Sequence, residues 1–133
     1  MIAALADTHA VFWYLAAAPS LSATAHTFIE DIIVRGDQIG VSTITLIEST
    51  YLVEKGRLSH HAFNQLLEAL AQSDSFLLEI PVDGAVARAL GQVPRSQIPD
   101  LPDRIIAATA ALLDVPIISR DRRIVSSELK TIW

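Results

Sequence analysis

Asp7, Glu48, Asp103 and Asp121 lie far apart in the chain, yet each follows an apolar run or sits at the predicted start of a helix. Asp7 closes IAALA. Glu48 lies in STITLIES, shortly after IGVS, Asp103 opens DRIIAATAALL, and Asp121 follows VPIISR. In an α/β fold such positions converge at one end of a sheet. Carboxylates gathered there suit a hard divalent cation, which takes oxygen ligands. The chemistry this implies is metal-assisted attack on a phosphate, with a water made acidic and the leaving oxygen stabilised. Crowded carboxylates repel, so without metal at least one pKa should rise; a bound cation reverses that preference.

The acids can meet only if the intervening segments deliver them. Ile2–Ala6 reads as a buried strand, and 8–18 as a helix stopped by Pro19. The next helix spans 22–35, with Ser22 as its cap and Gly36 just past its end. Residues 38–42 read as a strand and 43–55 as a helix ended by Gly56. Ser59 caps an amphipathic helix carrying Phe63, Leu66, Leu67 and Leu70. A strand over 76–80 and a short helix from Asp83 to Leu90 follow. Residues 91–102 hold three of the six prolines and read as a loop bordering the site. The helix 103–113, a strand at 115–119, a turn or short helix at 121–125 and a small strand at 131–133 complete the chain. Strands alternating with helices predict parallel pairing through right-handed crossovers. The expected fold class is α/β: one domain over 1–133, with a central, mostly parallel sheet of four to five strands flanked by helices. Ligands of such sheets bind beyond the carboxyl ends of the strands, at the switch point in strand order. Asp7 and Asp121 face each other there if the first and fourth strands are neighbours.

Taken singly, each acid also fits an ordinary cap. Asp7 can cap the first helix, Thr45 and Glu48 match a capping box, Asp100 and Asp103 fit the first turn of the next helix, and Asp121 fits an Asx turn. What four independent caps explain poorly is that all four fall at the same predicted edge.

The 133 residues can bury roughly two-thirds of the surface of the unfolded chain. With 51% hydrophobic and 19% charged residues, the chain is more apolar than typical domains at about 45–50% and about 25%. That surplus fits either an alanine-rich core or a face covered by a second subunit or partner. The absence of cysteine excludes disulfides, zinc–thiolate sites and a cysteine nucleophile. MIAALAD lacks a basic segment and is too short for a signal peptide, and Ile105–Leu113 is far below the ~18 residues of a membrane helix. A soluble, cytoplasmic protein is expected. A net charge of −5 argues against a general nucleic-acid coat but not against a nuclease whose acids are masked by cations. Arg120, Arg122 and Arg123 bracket Asp121, and Arg104 follows Asp103; alone, each reads as a solvated or paired helix-end charge. His9 reads as packing on the first helix, His60 and His61 as helix surface, and Phe12, Trp13 and Tyr14 as core or interface.

DTHAVFWYL at Asp7, the Ser42-to-Glu48 spacing, DLPDRIIAATA around Asp103 and ISRD at Asp121 resemble, in order and spacing, the PIN-domain ribonucleases, specifically the VapC toxins of type II toxin–antitoxin modules. The resemblance runs from end to end of the chain. It implies that Asp7, Glu48, Asp103 and Asp121 are the catalytic and metal-binding acids, with Thr8 and Ser119 as supporting hydroxyls. Asp7 and Asp103 are the foremost ligands, and Glu48 binds metal or orients water. It further implies Mg²⁺ or Mn²⁺ as cofactor and structured RNA, such as tRNA or an rRNA loop, as substrate. A small VapB-like antitoxin and a homodimer are the implied partners. The aromatic that the family often has before its glutamate is here Ile47, a departure that touches packing. Asp100 also matches a recurrent family acid and reads as a loop or cap residue.

Two other classes fit less well. A receiver-like, non-catalytic module needs paired acids after the first strand and a placed lysine, whereas this chain has Asp7 alone there and only Lys55 and Lys130. A haloacid-type phosphatase needs DxDxT, and the chain reads DTHAV.

Overall fold

Period-two alternation along the strands divides the apolar residues into two cores, one on each face of the sheet. In the computed structural model, which describes residues 1–133, Ala4, Ala6, Ile39, Val41 and Ile118 face one side. Leu5 and Ile117 face the other. The strands are β1 (Ile2–Ala6), β2 (Gln38–Ser42), β3 (Leu77–Ile80), β4 (Ile117–Ile118) and β5 (Thr131–Ile132). They form one sheet in the order β3-β2-β1-β4-β5, and every neighbouring pair is parallel. The expected α/β fold is therefore present, with five strands and no antiparallel pair.

Helices α1 (Thr8–Leu15), α2 (Ala23–Arg35) and α4 (His60–Ala71) cover the first face through Ala10, Val11, Ile29, Ile32 and Leu66. Helices α5 (Gly84–Leu90), α6 (Leu101–Leu113) and α7 (Arg122–Val125) cover the second through Val86, Ile106 and Ile124. Helix α3 (Thr43–Glu54) leaves β2 directly at the upper edge. Close packing of the second face needs a glycine at position 40. A β-carbon there would lie 2.9 Å from both Ile80 Cγ1 and Leu5 Cδ1. Gly40→Ala is expected to lower stability by about 1–3 kcal/mol through overpacking. An unchanged urea midpoint would contradict this.

Several element ends differ from the sequence expectation, each for a local reason. The first helix stops at Leu15 rather than Ala18. Ala17 turns left-handed (φ 50), and the amides of Ala17 and Ala18 return to the carbonyls of Tyr14 and Trp13. Pro19 disfavours helix at Ala18, which forces this early closure. Strand β4 is shorter than 115–119 because the Val115 amide is spent on Ala110 O and Pro116 has no amide to give. Helix α6 starts earlier than Asp103, with Asp100 as cap and Pro102 in the first turn, where a missing N–H costs nothing. No helix is long and apolar enough to cross a membrane.

Candidate active site

The strand order reverses between β1 and β4, and the two strands lie side by side. Asp7 is the first residue beyond β1, and its amide donates to Ile118 O at 3.1 Å. Ser119 and Asp121 follow β4. A cleft of about 680 Å³ opens at this edge, lined by Asp7, Thr8, His9, Trp13, Glu48, Asp100, Asp103, Arg120, Asp121 and Arg122. All four acids singled out in the sequence thus line one cleft. Thr8 lines it too, and buried Ser119 lies beside Asp7 and Asp121.

Helix capping and convergence turn out to be compatible for three of the four. Asp7 caps α1, its Oδ1 accepting from the Ala10 amide at 2.8 Å. Asp121 caps α7, one oxygen accepting from the amides of Arg123 and Ile124. Asp103 lies in the first turn of α6 behind its cap, Asp100. Helix N-termini carry partial positive charge, so the same places that favour a cap favour a group of carboxylates.

Glu48 is different. The capping-box reading of Thr45 and Glu48 does not hold, because the cap of α3 is Ser42, whose Oγ accepts from the Ile44 amide. Glu48 instead accepts a 2.6 Å hydrogen bond from the Thr8 hydroxyl. Thr8 Oγ1 also lies 3.1 Å from Thr45 Oγ1, in a buried contact. A hydroxyl has one proton. With the Thr8 proton spent on Glu48, Thr45 must donate to Thr8. The result is a directed chain from Thr45 through Thr8 to Glu48 Oε1. The sequence reasoning missed Thr45 as a site residue. The available signal was its position three residues before Glu48, which puts both on one face of a helix.

Burial pushes the Asp7 carboxyl up, partly offset by hydrogen bonds from Ser119 and the Ala10 amide. Asp103 is pushed up to about 7, chiefly by burial and then by the charges of Asp100, Asp121, Glu48 and Asp7. As they stand, no three acidic or histidine side chains form a group that could hold a metal ion. The acids line a cleft and do not close into a cage.

The flanking residues are sorted by the fold. His60 and His61 are exposed on α4 and line no part of the cleft. His9 packs against Trp13, as a first-helix residue should, with ring centroids 5.4 Å apart, and it also lines the cleft. Phe12, Trp13 and Tyr14 pack against the first core, and Trp13 in addition reaches the cleft. Arg104 is neither free nor ion-paired. It donates to Val93 O at 2.9 Å and Leu90 O at 3.0 Å, tying the end of α5 and the proline-rich loop to α6. Neither Lys55 nor Lys130 reaches the cleft, so the placed lysine of a receiver-like site is missing.

Comparison with known proteins gives a consistent family. The model of the PIN domain matches residues 4–127. Ribonuclease VapC22 of Mycobacterium tuberculosis is 29% identical over 124 residues, covering 93% of this chain and 91% of the relative. A toxin–antitoxin complex from Klebsiella pneumoniae contains a chain that superposes with a TM-score of 0.68 at 21% identity, covering 98% of this chain and 97% of that one. VapBC2 from Rickettsia felis, bound to a DNA fragment from its promoter, gives a TM-score of 0.71 at 17% identity with the same coverage. At these identities the structural likeness is one of fold.

Proposed function

The chain belongs to the PIN-domain family, and from that premise we propose that it is a VapC-like toxin, a Mg²⁺- or Mn²⁺-dependent endoribonuclease that hydrolyses phosphodiester bonds in structured RNA such as tRNA or an rRNA loop. The observation that carries this reading is the convergence of Asp7, Glu48, Asp103 and Asp121 on one cleft at the β1/β4 switch point. On this reading all 133 residues form one PIN domain that acts in the cytoplasm.

The donor set fits a hard cation, since it offers carboxylate oxygens and no sulfur. Asp7, Asp103 and Asp121 would hold it, with Glu48 as a further ligand or as the residue that orients water. When bound, such an ion supplies positive charge against the phosphate oxygens and acidity to a water. The remaining work falls to the chain. Asp7 is aimed by the Ala10 amide, and Asp121 by two amides of α7. Glu48 has Oε1 occupied by Thr8, which leaves Oε2 to accept from the attacking water. Thr45 keeps the Thr8 proton pointed at Glu48.

Thr45→Val keeps the shape but removes the donor to Thr8. It is expected to lower kcat for RNA cleavage about 3- to 10-fold, the worth of one hydrogen bond, with little change in KM. A variant as fast as the parent would remove Thr45 from the proposed machinery. The function as a whole is tested by incubating cellular RNA with purified protein and Mg²⁺ or Mn²⁺, with and without chelator, and sequencing the new RNA ends. Discrete, chelator-sensitive ends are expected; none with either ion counts against the proposal.

A small VapB-like antitoxin and a second copy of the chain are the proposed partners. Relatives of the same fold occur in toxin–antitoxin complexes. Ile47 and Tyr51, one turn apart on α3, are 50% and 60% exposed, which supports a covered apolar face.

A further inference from the structure

Arg120 lines a cleft with five carboxylates, Asp7, Glu48, Asp100, Asp103 and Asp121, yet makes no ion pair with any of them. Its guanidinium lies over the Trp13 ring, 4.5 Å from the centroid. Trp13 is fixed in turn. Its edge meets Trp133 at 5.8 Å and 60°, and His9 packs against it one turn earlier on α1. Trp13 is the one apolar residue lining the cleft.

This arrangement has physical consequences. A guanidinium held over an indole and paired with no carboxylate keeps its donors and outer face for a ligand. The plane of Arg is itself a stacking surface for an unpaired base, and its charge suits the adjoining phosphate. The indole beneath holds that plane in position, so little freedom is lost on binding.

We propose that Trp13 and Arg120 form a stacking subsite for one unpaired RNA base flanking the cleaved bond, giving a Trp13–Arg120–base stack beside the acids. The inference rests on the ribonuclease reading above and adds to it the part of the substrate that is gripped. It implies that the enzyme needs a nucleotide out of its helix next to the scissile phosphate, which selects loops and single strands over duplex.

The experiment scans a short unstructured RNA that the protein cleaves, replacing each base near the cut with an abasic nucleotide. KM is measured with Mg²⁺, and binding of the labelled RNA is measured by anisotropy in chelator. The parent should lose about tenfold or more in KM and in affinity at one flanking position, within the range stacking contributes, and little elsewhere. Arg120→Lys keeps the charge but not the plane. Trp13→Phe keeps the packing but offers a smaller ring. Both should weaken the intact RNA by a similar factor and flatten the abasic profile, because the base then has nothing to stack on. A profile equally deep in Arg120→Lys and the parent overturns the subsite while leaving the ribonuclease reading intact. So does loss of protein-partner binding in these variants with RNA cleavage and profile unchanged. A parent that neither binds nor cuts RNA overturns both.

Discussion

Asp7→Asn should reduce RNA cleavage by about 10²–10³-fold or more, the scale of losing one preorganised electrostatic group, with the melting temperature unchanged or raised. The two effects part because Asp7 does two jobs. As a cap it needs only an oxygen to accept from the Ala10 amide, and Asn provides one as well as Asp does. As a carboxylate it is buried, with its pKa raised by that burial. The charge is thus a cost to the folded chain and is of use only to a cation. Asp103→Asn should behave alike, since its carboxyl is crowded by Asp100, Asp121, Glu48 and Asp7. Initial rates at saturating Mg²⁺, beside thermal melts of the same preparations, check both. Cleavage within twofold of the parent in either well-folded variant would show that these carboxylates are not the metal site.

The second large effect is a pH-dependent stability that a cation abolishes. Asp103 ionises near 3.8 in an unfolded chain and at about 7 in the folded one, mainly through burial and next through Asp100. A carboxyl with a raised folded pKa contributes its stability in full below the unfolded value and loses it as pH climbs through the folded value. Asp7 shifts in the same direction. In chelator, the melting temperature should therefore rise as pH falls from about 8 toward about 5, before general acid unfolding takes over. At pH 8 a divalent cation at 100-fold its Kd should raise it by about 10 °C. The increment should shrink at pH 5, where protons compete for the same oxygens. Asp103→Asn should flatten the chelator curve. A melting temperature that is flat, or that falls as pH drops from 8 to 6 in chelator, would refute this account.

Much of the fold is legible in the sequence because much of it is decided within a few residues. Ser22, Ser59 and Asp83 each accept from the amide three residues on, and Gly36 closes α2 at φ 78. Where expectation and structure part, two nearby groups compete for one hydrogen bond. Val115 was a good strand residue until its amide went to Ala110 O, and Ala18 a good helix residue except that it precedes Pro19. Arg104 looked like a helix-end charge, but its partners are carbonyls at the end of α5 and in the loop after it, more than ten residues away in sequence.

The site divides along the same line. The sequence by itself determined which acids exist, their order, and that Asp7, Asp103 and Asp121 stand where an element begins or ends, because capping chemistry and hydrophobic period are local. It also carried enough motif to point to the PIN family. What only the tertiary structure decided is the company each acid keeps. That β1 lies against β4 brings Asp7 to Asp121; that α1 and α3 meet turns Glu48 from a capping residue into the acceptor of Thr8. The same packing leaves Arg120 on Trp13 and not on a neighbouring carboxylate. Strand order and helix contacts follow from burying two separate apolar faces at once, a condition on the whole chain that no window of residues contains.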